Sequence, residues 1–70
     1  MTTTLVVSGS YGRDYTSAKA AKADWAAGKD FTIRTIGRDT GRQINKADAD
    51  AAGVKVQIRY ARDRKVTGWV

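Results

Sequence analysis

The stretch Val54-Lys55-Val56-Gln57-Ile58-Arg59-Tyr60 decides the fold. Apolar residues at 54, 56, 58 and 60 alternate with Lys55, Gln57 and Arg59, so one face of a strand turns to a core and the other to water. A strand of this kind needs partner strands and a layer that covers its apolar face. Downstream, residues Ala61 to Arg64 turn the chain, and Lys65 to Val70 returns as the second arm of a β-hairpin. Upstream, Asn45 caps a short helix that runs through Ala52. Asp48 stands near the positive end of that helix and Gly53 stops it. Further back, Phe31 to Ile36 reads as a strand, with Phe31, Ile33 and Thr35 alternating against Thr32 and Arg34; a Gly-rich loop, Gly37 to Gly41, follows it. Ser17 caps a helix over Ala18 to Ala27, with Ala18, Ala21 and Trp25 on one face and Gly28 at its end. Thr3 to Ser8, rich in β-branched residues and closed by Gly9-Ser10, is the first strand. The order is βαβαββ. The predicted fold class is α/β (α+β), with two helices on one face of a four-stranded mixed sheet and a C-terminal β-hairpin.

Seventy residues predict a single small domain, residues 1–70, which hides only about 60% of the surface its unfolded chain exposes. An echo at a spacing of 25 residues runs through it: Gly12-Arg13-Asp14 with Gly37-Arg38-Asp39, Ala26-Ala27-Gly28 with Ala51-Ala52-Gly53, and Ile33-Arg34 with Ile58-Arg59. Each unit reads as loop, helix and strand, which predicts an internal βα repeat with parallel strands joined by crossovers.

Composition argues against catalysis. Cysteine and histidine are absent and all seven acidic residues are Asp, which removes a histidine base, a thiolate nucleophile and a His/Cys metal cluster together. Asp48 and Asp50 are two apart on a helix and face different ways, so they form no acid/base pair. No enzyme activity, metal or cofactor is expected. No apolar stretch reaches membrane-spanning length and no targeting segment is visible, so the expected location is cytoplasmic, without membrane contact. Thirteen Lys and Arg against seven Asp give a net charge of +6, which draws phosphate-bearing or acidic partners by its long-range field.

Three surfaces are candidates for function. If the strands ending near Ser8, Ile36 and Tyr60 are parallel, then Arg13, Arg38 and Arg62, with Arg42 and Arg64 nearby, meet at the carboxyl edge of the sheet. There they would bind phosphate beside the Gly12 loop. The plainer reading is that each Gly and Asp serves a turn and each Arg is a solvated charge. The second surface is the sheet face away from the helices, carrying Thr4, Ser8, Thr32, Arg34, Lys55, Gln57 and Arg59 with Trp69 as a stacking platform. It is drawn without a single acid, and cations beside an aromatic ring suit single-stranded nucleic acid. The third is the sheet margin, where Trp69 and Val70 would pair across a homodimer.

The residues Tyr11-Gly12-Arg13-Asp14-Tyr15, Asp24-Trp25, Gly28-Lys29-Asp30-Phe31, Ile44-Asn45-Lys46-Ala47-Asp48 and Val56-Gln57-Ile58-Arg59-Tyr60 together resemble a group of small proteins encoded by tailed phages and prophages. The resemblance implies a setting, an infected bacterial host, and a role as an accessory factor that binds host or phage macromolecules, with countering host defence a recurring use. It supplies no catalytic residues. The expected function is therefore a non-enzymatic accessory protein that binds nucleic acid or a nucleoprotein. Its binding residues are Gly12, Arg13, Arg38, Arg42, Arg59, Arg62, Arg64 and Lys65, and its stacking residues Tyr11, Tyr15 and Trp69. The alternatives are capture of a small phosphate-bearing nucleotide at the carboxyl edge, and inhibition of a host protein by covering an acidic patch.

Overall fold

A computed structural model describes residues 3–9, 15–36, 38–62 and 65–70. Its elements are β1 (Thr4–Gly9), α1 (Ala18–Ala26), β2 (Phe31–Thr35), β3 (Arg38–Ile44), α2 (Lys46–Ala52), β4 (Lys55–Arg62) and β5 (Lys65–Trp69). The strands form one mixed sheet in the order β3-β2-β1-β4-β5. The sheet therefore has five strands rather than the four predicted, because the Gly-rich segment after Ile36 is the edge strand β3 and not a loop. β1 and β4 are parallel, with Leu5 opposite Val56 and Val7 opposite Ile58. β2 is antiparallel to β1, with Val7 opposite Ile33 and Gly9 opposite Phe31. β3 and β5 add antiparallel strands at the two margins.

Both helices begin where the sequence places them. The Ser17 hydroxyl accepts the Ala20 N–H at 3.2 Å, and the Asn45 side chain accepts the Asp48 N–H at 2.9 Å, each satisfying a donor that the first helical turn leaves open. Gly53 ends α2 in the left-handed region with φ 69°, which glycine enters without a Cβ penalty.

Alternation along the strands puts Leu5, Val7, Phe31, Ile33, Ile44, Val56, Ile58 and Tyr60 on one face. Ala21 of α1 and Ala49 of α2 join Val7, Phe31, Ile44 and Ile58 in a single buried cluster, so both helices cover that face. Phe31 is its hub. Tyr15 stacks on it at 5.5 Å with an interplanar angle of 13°, and Trp25 meets it edge-on at 5.4 Å and 89°. The Tyr15 hydroxyl donates to Asp24 Oδ2 at 2.6 Å, so the polar tip of a half-buried ring is satisfied. Tyr15 also takes over the ladder where β1 leaves the sheet, its carbonyl accepting the Ala61 N–H.

Two bulges shape the sheet margins. Between the pairs Thr32–Gln43 and Arg34–Asp39, Ile33 faces three residues of β3, and Gly41 takes φ 77° to fit the extra length. The Thr40 hydroxyl stitches this bulge, donating to the Ile33 carbonyl at 2.9 Å and accepting the Arg42 N–H at 3.2 Å. In β5 the register shifts between Tyr60–Gly68 and Ala61–Val66, one extra residue on β5. The Tyr60 ring lies over Gly68, where an added Cβ would fall 2.5 Å from its oxygen.

Candidate nucleic-acid interface

The antiparallel direction of β2 separates the arginines expected to converge. Thr35 ends β2 at the opposite end of the sheet from Gly9 and Arg62, and Arg38 pairs with Thr35, so Arg38 does not approach the ends of β1 and β4. The parallel arrangement drawn from the 25-residue echo fails for the same reason: Ile33-Arg34 lies on a strand that runs against the one bearing Ile58-Arg59. Arg42 lies exposed in the β3 bulge, at the far margin from β5. Tyr11, Gly12, Arg13 and Arg64 lie outside the described residues, and Arg62 is described only as part of β4. Lys65 is exposed at the start of β5 and, by alternation with Val66, faces away from the helix-free side. Tyr15, expected on a binding surface, is half-buried and stacks on Phe31. Val70, expected with Trp69 at a dimer edge, is partly buried and packs against the core.

The face opposite the helices is assembled much as drawn from the sequence. The register places Thr4 beside Lys55, Val6 between Arg34 and Gln57, Ser8 beside Thr32, and Arg59 beside Trp69. It does carry an acid, which corrects the expectation. Asp39 sits opposite Arg34 and accepts from its guanidinium at 2.8 Å. The Arg34 side chain is only 14% exposed, so its stem lies along the sheet and its charge is tied at the β3 side. The middle of the face is closed to water: Ser8 and Thr32 are 0% and 5% exposed. The Ser8 hydroxyl has no hydrogen-bond partner among the described residues.

Toward β5 the character changes. Ile58 and Val70 exchange both of their backbone hydrogen bonds, which makes the next pair, Arg59 and Trp69, a non-hydrogen-bonded one. Such pairs bring Cα atoms to about 4.5 Å and side chains closest together. Trp69 is 49% exposed there. In a regular strand Val66 and Trp69, three apart, would face opposite ways; the extra residue in β5 puts both on the helix-free side. Val66, opposite Ala61, is 41% exposed, so the bulge sets an apolar residue one same-face step along the margin from Trp69. The sequence reading found Trp69 and Arg59 but missed Val66, because a bulge has no signature in a run such as Lys65-Val66-Thr67-Gly68-Trp69. Lys55, exposed at the other end of β4, extends the face along the strand. This margin offers one aromatic plane, one apolar neighbour and two cations on β4, Lys55 and Arg59, with Gln57 between them.

A cleft of about 280 Å³ lies between the end of α1 and the start of α2, lined by Ala26, Ala27, Gly28, Lys46, Ala47 and Asp50. Its one cation, Lys46, is paired with Asp50 at 3.2 Å, so the cleft holds no cluster of donors for a phosphate. Among the described residues, no helix is long and apolar enough to cross a membrane. Compared with known proteins, the chain matches no protein-family model, no curated protein and no solved structure, so the functional reading rests on its own residues.

Proposed function

We propose that this protein is a non-enzymatic module that binds single-stranded nucleic acid on the helix-free face of its sheet. The observation that carries the reading is Trp69, half exposed on that face in a close cross-strand pair with Arg59. An exposed tryptophan stacks on any base, and a neighbouring guanidinium meets the phosphate that follows it. Val66 widens the apolar platform, Lys55 supplies a second cation on β4, and the net charge of +6 draws a polyanion to the surface. In the setting implied by the resemblance to phage-encoded accessory proteins, the bound strand belongs to the phage or its host, and covering it would shield it from defence proteins.

Fluorescence-detected titration with single-stranded oligonucleotides tests this. Quenching of Trp69 accompanies stacking, and Trp69→Ala is expected to weaken binding by about 5- to 150-fold, the equivalent of about 1–3 kcal/mol per stacked base. Circular dichroism serves to confirm that the variant stays folded. A folded Trp69→Ala protein that binds as tightly as the parent would overturn the reading.

A further inference from the structure

Among the described residues one buried side-chain polar atom has no hydrogen-bond partner, the Ser8 hydroxyl oxygen. Ser8 is 0% exposed, and a hydroxyl shut off from water without a partner destabilises the fold that holds it. The face does not demand a serine at this position. Val6, two residues earlier on the same face of β1, is half-buried, so the sheet accepts apolar side chains there, and alanine would occupy the place of Ser8 without the orphaned oxygen. A buried group left unpaired calls for an explanation, and neither strand preference nor packing supplies one here.

The register shows what stands beside it. Val7 pairs with Ile58, so the next step of that ladder brings Ser8 beside Arg59, and Arg59 pairs with Trp69. Trp69, Arg59 and Ser8 thus form one row across β5, β4 and β1 on the helix-free face, each about 4.8 Å from the next. In order they are an aromatic plane, a cation and a hydroxyl, which matches the order base, phosphate, base along a single strand. Ser8 is the shortest side chain of its group: Val6 lies between Arg34 and Gln57, so these two and Arg59 surround Ser8 with long side chains that can shift while the backbone stays in place. Arg34 is held toward β3 by Asp39 at 2.8 Å, whereas Arg59 is the residue that a phosphate beside Trp69 would draw to itself. We propose that Ser8 is the base contact of a second nucleotide subsite. Arg59 uncovers it on taking the phosphate, and the Ser8 hydroxyl then bonds the edge of the base next to the one on Trp69. A hydroxyl both donates and accepts, so it suits the free edge of an unpaired base, which a duplex does not offer. The proposal rests on the single-strand reading above and adds to it the smallest ligand, two nucleotides, and the path of the strand, across the sheet.

The test follows by fluorescence anisotropy the binding of two labelled oligothymidylates, one complete and one abasic at every second position, so that any base seated on Trp69 has an empty neighbour. The parent protein is expected to bind the complete strand about tenfold more tightly, more than the halved number of bases explains. Ser8→Ala is expected to melt about 4–8 °C higher than the parent, since the orphaned hydroxyl is gone. It should bind the abasic strand as the parent does and lose the tenfold preference for the complete one. Three results overturn the subsite while binding at Trp69 stands: a parent that binds both strands alike, a Ser8→Ala protein that keeps the preference or weakens on both strands equally, and a Ser8→Ala protein that melts no higher than the parent. Failure of the parent to bind the complete strand at all overturns the single-strand reading and the subsite with it.

Discussion

Replacing Phe31 by leucine tests whether the core is organised around one aromatic hub. Phe31 is fully buried, stacked on Tyr15 and edge-on to Trp25. Leucine keeps the site apolar but removes both ring contacts, each worth about 0.5–1.5 kcal/mol beyond the area they bury. The change of shape adds up to about 1.5 kcal/mol, so the expected loss is about 1–4.5 kcal/mol. A chain of this length has a total stability of roughly 4–10 kcal/mol. With a urea dependence near 1 kcal/mol per molar, the midpoint is expected to fall by about 1 M or more. The assay is urea unfolding followed by tryptophan fluorescence in a Trp69→Phe background, which leaves Trp25 as the sole reporter inside the core. A double-mutant cycle with Tyr15→Leu isolates the stacked pair and should return a coupling of about 0.5–1.5 kcal/mol. A loss under about 1 kcal/mol for Phe31→Leu, or zero coupling to Tyr15, would refute the reasoning.

Gly68→Ala is expected to destabilise by about 1–3 kcal/mol, because the new Cβ would stand 2.5 Å from the Tyr60 oxygen and 2.9 Å from its Cζ. A Tyr60→Phe background, which removes the nearest atom, should recover part of that cost in a thermal melt. Asn45→Ala removes the cap on the Asp48 N–H and the bond from its amide to Asp30 at 3.2 Å, and is expected to cost about 1 kcal/mol in urea unfolding. Asn45→Ser should retain most of that stability, since a hydroxyl can take the same N–H.

The parts of the fold that could be read in the sequence are those written in local chemistry. Ser17 and Asn45 mark the helix starts because each supplies an acceptor to its own helix three residues on. The strand from Lys55 shows itself by strict alternation, and the residues assigned to the core face from Leu5 to Tyr60 are those that pack together. The fifth strand stayed hidden because Arg38-Asp39-Thr40-Gly41-Arg42-Gln43 contains no apolar residue. An edge strand with one buried position, Ile44, has no alternation to display, and its charges are the ordinary protection of an open edge. Ile36 before it, at φ 51°, was equally silent, since isoleucine at positive φ is not a turn signal. Overlooking that strand is what turned β2 the wrong way and gathered the arginines at one edge. The helix-free face was legible from period two alone, whereas the seating of Val66 beside Trp69 depends on a bulge that residue order does not announce.

The measurement that bears most directly on the central claim is the salt dependence of single-strand binding, followed by fluorescence anisotropy for the parent, Trp69→Ala and Lys55→Ala. Two phosphate contacts, at Arg59 and Lys55, predict a slope of log affinity against log salt of about −1.4. Trp69→Ala should lower affinity at every salt concentration and leave the slope in place, because stacking releases no counterions. Lys55→Ala should flatten the slope by about 0.7. An affinity insensitive to salt, or a slope that Lys55→Ala leaves unchanged while Trp69→Ala binds like the parent, would contradict the assignment of this face.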